Sequence, residues 1–284
     1  MRTLFLLVFA VFLSPHAHGQ TILLKDGKRV TAKSLRRQGD NIMAQSPSVA
    51  GAQAVQGEVG YPLSQIEKLE FPEPAVLKTV PDLITSGKAA DALTQLEPAV
   101  TYYAGFRDAP GSFWGDLAAL KLSALVSLGR DADAEPLARQ IIEMSTNPET
   151  SRAAQAQLAG IAGRKGDHER AIKLCDEILK EGAKPETMAV AAINKARSHQ
   201  ALKQWEKALL AYLQIPVFYP EQKSAMPAYL LGSSQCYFEL NDLPRAKASL
   251  DELGKTFGSS NEAELAKAEV DKITRREKAL ETVK

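Results

Sequence analysis

Very few residues in this chain have the types and spacing that chemistry requires. Beyond the first nineteen residues there are two histidines: His168, in the turn Gly166-Asp167-His168, and His199, within a helical stretch. Imidazole serves as a metal ligand or general base. Neither histidine stands at ligand spacing from a cysteine, a second histidine or a carboxylate, so packing and turn roles are expected instead. The two cysteines, Cys175 and Cys236, are 61 residues apart and read as buried thiols acting as small hydrophobes. There is no GxSxG elbow, HExxH helix or phosphate-cradling glycine loop. Gly160 and Gly163 fall inside a helical stretch, where they read as close-packing sites. The expectation is a non-catalytic chain with no metal and no cofactor.

The elements that carry these residues centre on Met188 to Pro220, MAVAAINKARSHQALKQWEKALLAYLQIPVFYP. It reads as two short helices joined by a tight turn and closed by a proline. Ala196 and Ala208 carry only a methyl, so the two backbones can approach to the short end of the usual packing distance. One pair cannot bury its own apolar face and needs neighbours. A residue that leaves the first helix sharply, followed five positions later by an alanine, recurs as Gly87/Ala92, Gly129/Ala134, Gly166/Ala171, Lys203/Ala208 and Asn241/Ala246. The alanines are 42, 37, 37 and 38 residues apart. A sharp exit needs left-handed backbone, which Gly adopts freely and Asn tolerates. Lys203 departs from the pattern, which implies either a different turn or mild strain.

This stretch and its copies resemble tetratricopeptide repeats (TPR), helix–turn–helix units of about 34 residues. The resemblance implies a mainly α, TPR-type α-solenoid of about five helix pairs over residues 73–260, with a capping helix over 261–284. The first-helix small position reads Ala159, Ala196 and Ser234, but Leu122 in the second repeat. The second-helix bulky position reads Leu96, Cys175, Tyr212 and Leu250, but Ala138 in the second repeat. The closing proline is Pro220, approximated by Pro148 and Pro185 and replaced near Gly258.

The resemblance also implies a partner groove on one side of each first helix. The aligned positions are Asp116, Ala119 and Ser123; Ala156, Gly160 and Arg164; Ile193, Arg197 and Gln200; and Leu231, Gln235 and Phe238. The pattern by which some TPR proteins clamp a peptide carboxylate is not reproduced, since only Asn194 and Arg197 are similar to it. The groove is expected to be mixed, with an apolar end at Leu231 and Phe238 that suits a helix or an extended apolar segment. The alternative is that these two pack against the capping helix. The named binding set is Asn194, Arg197, Gln200, Leu231, Gln235 and Phe238.

A second candidate is the long link between repeats one and two. Tyr102, Tyr103, Phe106, Phe113 and Trp114 flank Asp108-Ala109-Pro110-Gly111. Aromatic clusters are enriched at interfaces. They also serve to cover a neighbouring module or to extend repeat one.

Residues 20–72 differ from the rest. Thr21-Ile22-Leu23-Leu24, Lys25-Asp26-Gly27-Lys28 and the run from Arg29 to Leu35 read as a hairpin on a type I′ turn. Gly39-Asp40-Asn41 makes a second turn, and Ile42-Met43-Ala44 a third strand. A loop over Ser46 to Gly57 precedes Val59-Gly60-Tyr61. The pattern LLKDGKRVTA … YPLSQIEKLEF resembles the small SH3-like or Sm-like barrels at the N-terminus of some exported bacterial proteins. The implied module is a small β-barrel-like fold that packs against the first helices.

The first nineteen residues read as a secretory signal. Met1-Arg2 is followed by an apolar run from Leu4 to Leu13 and by Ala17-His18-Gly19, which places cleavage before Gln20. Ten apolar residues are too few to span a bilayer, and no cysteine follows for a lipid anchor. No later segment is long and apolar enough to cross a membrane. Without Arg2 the balance is 34 basic against 34 acidic residues. Nucleic-acid binders carry a basic excess, and Lys28, Arg29, Lys33, Arg36 and Arg37 read as a solvated face.

The expected protein is therefore exported, periplasmic or secreted, and acts as a protein–protein scaffold or adaptor of the bacterial cell envelope. It binds a protein or peptide segment, and no nucleic acid. The alternative is a structural component that self-associates through the β module or the aromatic link.

Overall fold

The computed structural model describes residues 19–49 and 55–281. The expected signal segment lies outside the described residues except for Gly19. The chain forms two compact units. One holds the described residues up to Pro74 together with Thr101–Phe113, and the other holds Ala75–Val100 and the residues from Trp114 onward.

The first unit has seven strands among the described residues: β1 (Gln20–Leu24), β2 (Arg29–Ala32), β3 (Ser34–Gln38), β4 (Asn41–Gln45), β5 (Ser48–Val49), β6 (Glu58–Pro62) and β7 (Ile66–Glu70). They form two antiparallel sheets, β5-β2-β1-β7 and β3-β4-β6. The run expected as one return strand is divided at Lys33, and its two halves enter different sheets. Ile22, Val30, Leu35, Ile42, Ala44, Ile66 and Leu69 are all at most 2% exposed. Val30 and Ala32 on β2 and Ile42 and Ala44 on β4 alternate with more exposed neighbours, the period-2 pattern of a half-buried strand.

The first hairpin turn differs from the type I′ expectation. A type I′ turn needs positive φ at both central residues, and here only Gly27 has it, at 82°. Leu24 N–H donates to Lys28 at 2.9 Å, so Lys25-Asp26-Gly27 is a three-residue loop closed by glycine. Asp26 accepts from the Lys28 backbone at 3.0 Å, which favours the longer turn.

The aromatic link belongs to this unit. Phe71 lies edge-on to Tyr103 and Phe106, with centroids 5.1 and 5.2 Å away, and Tyr103 meets Phe113 at 5.9 Å. Pro110 accepts from the Leu69 N–H at 2.7 Å, which satisfies a donor on the edge of β7. Gly111 takes a φ of 84°, and a Cβ there would sit 2.1 Å from the Leu69 carbonyl oxygen.

The second unit holds α1 (Val76–Thr85), α2 (Ala89–Tyr103, whose last turn belongs with the first unit), α3 (Trp114–Ser127), α4 (Asp131–Met144), α5 (Pro148–Arg164) and α6 (His168–Glu181). It continues with α7 (Pro185–Ala201), α8 (Trp205–Phe218), α9 (Met226–Glu239), α10 (Leu243–Phe257) and α11 (Asn261–Glu281). The five turn residues share one conformation. Gly87, Gly129, Gly166, Lys203 and Asn241 all have φ between 57° and 88°. In each case the next N–H reaches five residues back, as Asp167 to Ala162 at 2.9 Å and Gln204 to His199 at 2.9 Å. The turn residue itself reaches three back, so every first helix ends in a Schellman motif. The Lys203 turn is therefore built like the others, and the strained alternative is the one realised.

The five alanines of the second helices, Ala92, Ala134, Ala171, Ala208 and Ala246, are each 0% exposed. Each lets a first helix approach closely. In repeat two the large and small positions exchange: Leu122 and Ala138 replace a small and a bulky residue, and both stay buried. Ser234 occupies the small position in repeat five, and its hydroxyl donates to the Ala246 carbonyl at 2.8 Å. Pro148 and Pro185 do not close the preceding repeat. They begin α5 and α7, where a missing N–H costs nothing, and Asn147 caps α5.

Candidate protein-interaction face

Successive first helices stack on one another, α3 on α5, α5 on α7, α7 on α9, and α9 on α11. The aligned groove positions do not share one environment. Ala156, Ile193 and Leu231 are at most 8% exposed and form the inner column of these contacts. They are core residues, because each lies on the side of its helix that faces the stacking partner. Asn194 is also turned inward. It is 9% exposed, and its amide donates to the Ala156 carbonyl at 2.9 Å. Gly160 makes room for it, since a Cβ there would lie 3.0 Å from the Asn194 amide nitrogen.

The expected apolar end of the groove is covered. Leu231 packs with Leu230, Ala246, Leu250 and Leu253, and with Ala266 and Ile273 of α11, while Phe238 lies against the same cluster. The capping helix needs an apolar surface to dock on, and the last repeat supplies it.

The polar groove residues form a hydrogen-bonded chain across four helices. Tyr212 Oη donates to Gln200 at 2.7 Å, Gln200 Nε2 donates to Gln235 at 3.2 Å, and Gln235 Nε2 donates to Glu269 at 3.1 Å. Lys272 closes it on Glu269 at 2.9 Å. Burial raises the Tyr212 pKa, so its hydroxyl keeps the proton it donates.

Two concavities open on this face. One, of about 210 Å³, lies between α5 and α7 and is lined by Gly160, Arg164, His168 and Arg197. Arg164 is held by Asp131 at 2.7 and 2.9 Å, while Arg197 is exposed. The other, of about 350 Å³, is lined by Gln200, Trp205, Gln235, Phe238, Glu239 and Glu269. Ala201 lines both. The face thus runs from the cation of Arg197 to the exposed carboxylate of Glu239, with two aromatic rings beside it and with Glu269 already paired to Lys272, which also lines this concavity. The sequence reading missed Trp205, Glu239 and Glu269. Trp205 opens α8 two residues after a turn, and Glu269 belongs to the helix read only as a cap.

Of the aromatic residues at the link, Phe106 is 1%, Trp114 3% and Tyr103 6% exposed, while Tyr102 is 40% exposed. The Tyr102 hydroxyl donates to the Leu35 carbonyl at 3.3 Å and bonds the Gln20 side chain. Phe113 packs on Tyr103. Tyr102, Tyr103, Phe106 and Phe113 meet one another or Phe71 rather than forming an exposed patch, and Trp114 is buried in the helical unit.

Four of the five basic residues singled out in the β unit have carboxylate neighbours. Lys28 pairs with Asp26 at 2.8 Å, Arg36 with Glu58 at 2.9 Å, Arg37 with Asp108 at 3.2 Å, and Arg29 with Glu70. Among the described residues no cluster of His, Cys, Asp and Glu is placed to hold a metal ion. No described helix is long and apolar enough to cross a membrane. Both cysteines are free, and burial pushes their thiols up to about 12.

No family model and no curated protein matches the chain. Among solved structures it is similar to kinesin-light-chain TPR-like repeats of Podosopora anserina, at 16% identity and a TM-score of 0.47, covering 64% of this chain and 94% of that one. It is also similar to MamA of Desulfovibrio magneticus RS-1, at 13% identity and 0.43, covering 67% and 99%. A third is BtubC of P. vanneervenii, at 15% identity and 0.42, covering 74% and 93%. At these values the overlaps carry no inference about this chain. Its own helix-pair geometry makes it an α-solenoid of the TPR type.

Proposed function

We propose that this chain is a non-catalytic interaction scaffold of the bacterial cell envelope that binds a partner segment along the first-helix face. The observation that carries this reading is the pair of adjoining concavities that meet at Ala201, one presenting Arg197 and the other Trp205, Phe238, Glu239 and Glu269. A segment with an acidic residue at the first and a basic residue at the second meets opposite charge at both. The half-buried rings supply apolar contact between them. Exposed charges of this kind set specificity and association rate more than affinity.

The export reading rests on the apolar run from Leu4 to Leu13 followed by the small residues Ala17 and Gly19. We place the β unit with the SH3-like or Sm-like modules on its short antiparallel strands and tight glycine turns. Fractionation of the source cells, followed by mass measurement of the purified chain, tests export. A mature mass beginning at Gln20 in the periplasm or medium is expected, and an intact cytoplasmic chain overturns it. Affinity purification with surface variants of Arg197 and Glu239 tests binding: capture of a discrete partner that both variants lose is expected, and a partner retained by both overturns the groove.

A further inference from the structure

The second helices of the array present polar outer faces, with one exception. On α6 the exposed positions include Lys173, Lys180 and Glu181, and on α10 the aligned positions are Ala248, Lys255 and Thr256. On α8 the same positions are Leu210, Val217 and Phe218, exposed by 67%, 65% and 67%. The buried side of α8 is Ala208, Ala211, Tyr212 and Ile215, so this helix buries one apolar side and exposes three more large apolar residues on the other, beside Lys207 and Gln214. A cluster of exposed large apolar side chains rimmed by polar ones marks an interaction surface.

The stripe is also self-complementary. Lys207, Leu210, Gln214 and Val217 follow one another at steps of three and four along one side of the helix, with Lys203 in the turn before it and Glu221 in the turn after it. Lys203, Lys207 and Glu221 are exposed. Laid antiparallel on a second copy and centred near Gln214, Leu210 meets the other copy's Val217. The Lys207 end, with its companion Glu206, then meets the Glu221 end, with its companion Lys223. Each copy's helix C-terminus, where the macrodipole is negative, then receives the other copy's lysines. A two-fold axis uses every such contact twice.

We propose that the outer face of α8 is a homodimer interface, in which two copies pair α8 against α8 antiparallel across a two-fold axis. This interface is separate from the first-helix face, so it stands or falls independently of partner binding. One helix per copy makes an interface at the small end of specific ones, below about 1,200 Å² in total. The dimer is therefore weak and concentration-dependent.

Sedimentation velocity of the full chain at about 1 to 500 μM measures it, a range that brackets the weak affinities of small transient interfaces. The expected result is a reversible monomer–dimer equilibrium. Leu210→Lys combined with Val217→Glu should leave a monomer throughout with unchanged thermal unfolding, since both side chains are already in water. Lys207→Glu should weaken the dimer about tenfold, a typical magnitude for one close charge pair used twice. Adding Glu221→Lys to it should restore the dimer. Gln214→Cys should form a covalent dimer on mild oxidation, while Lys173→Cys should not. A wild-type monomer at the top concentration overturns the proposal. So does a dimer indifferent to the Leu210 and Val217 changes, a charge reversal that Glu221→Lys fails to rescue, or equal cross-linking at 173 and 214.

Discussion

The Tyr212 ring of α8 lies directly on the Gly232 backbone of α9, so closely that a Cβ at 232 would sit 2.1 Å from Tyr212 Cζ. The same tyrosine donates to Gln200, and Gln200 donates to the Gly232 carbonyl at 3.3 Å. Repeats four and five are joined through this contact. Gly232→Ala should cost about 1–3 kcal/mol by overpacking. Gly254→Ala, inside α10 with nothing within 4 Å of a new Cβ, should instead stabilise by about 0.5–1 kcal/mol. Urea unfolding of the two variants checks the opposite signs.

Lys203 holds a left-handed φ of 57°. An L side chain in that region costs roughly 1–2 kcal/mol, part of which is offset by the greater freedom of glycine in the unfolded chain. Lys203→Gly should raise stability by about 0.5–1 kcal/mol. Asn241→Gly, at 62°, should gain less, because asparagine tolerates the region. A shift in the urea midpoint without a change in slope is the expected readout.

His199 is buried, and its Nδ1 lies 2.8 Å from Gln204 Oε1. Burial, reinforced by Lys195 and Lys207, holds its pKa below the usual 6.5, and the Gln204 contact only partly opposes this. The unfolded chain therefore binds the proton more readily. Stability is full above pH 6.5 and falls as the pH drops below it. His199→Gln should flatten that dependence between about pH 5 and 7, the range in which histidine titrates. A second loss belongs to Glu135, which Lys165 and Arg139 hold down at about 2, so its contribution disappears as pH falls from 4.5 toward that value.

In the β unit, Phe106 is 1% exposed and edge-on to Phe71. Phe106→Ala should cost about 3–5 kcal/mol. Near-ultraviolet circular dichroism should lose aromatic signal while the helical signal persists. An unchanged aromatic signal would contradict the packing described for Phe71, Tyr103 and Phe106.

The repeat region was legible because its turn carries a backbone requirement. Left-handed φ selects Gly or Asn, and the alanine five residues on selects close approach, so Gly166/Ala171 and Asn241/Ala246 declare themselves by residue type. The exchange at Leu122 and Ala138 looked irregular because a column compares residue size, whereas both positions keep their burial. The fate of Leu231 was legible only as one of two readings, and packing against the capping helix is the one realised. Its partner Ile273 lies outside the repeat period, so nothing periodic decides between them. The aromatic link was visible as a cluster, but its partner Phe71 lies 31 residues upstream of Tyr102, the first of those rings, in a segment read as a separate module. Asn194 looked like a groove residue because its bond to the Ala156 carbonyl depends on Gly160 in another repeat.

The central claim concerns the face from Arg197 to Glu239, and its most direct test is capture of the partner. The full chain, cross-linked in the envelope fraction of its source cells and affinity-purified, should retain a discrete protein. Arg197→Glu and Glu239→Lys, both at exposed positions, should each reduce that capture at least about tenfold, the scale of a lost charge contact at an interface. The unfolding midpoint of Glu239→Lys should match the wild type, while Arg197→Glu also loses a contact with the buried Tyr212 hydroxyl and should stay folded with a slightly lower midpoint. Undiminished capture by the folded double variant would contradict the account.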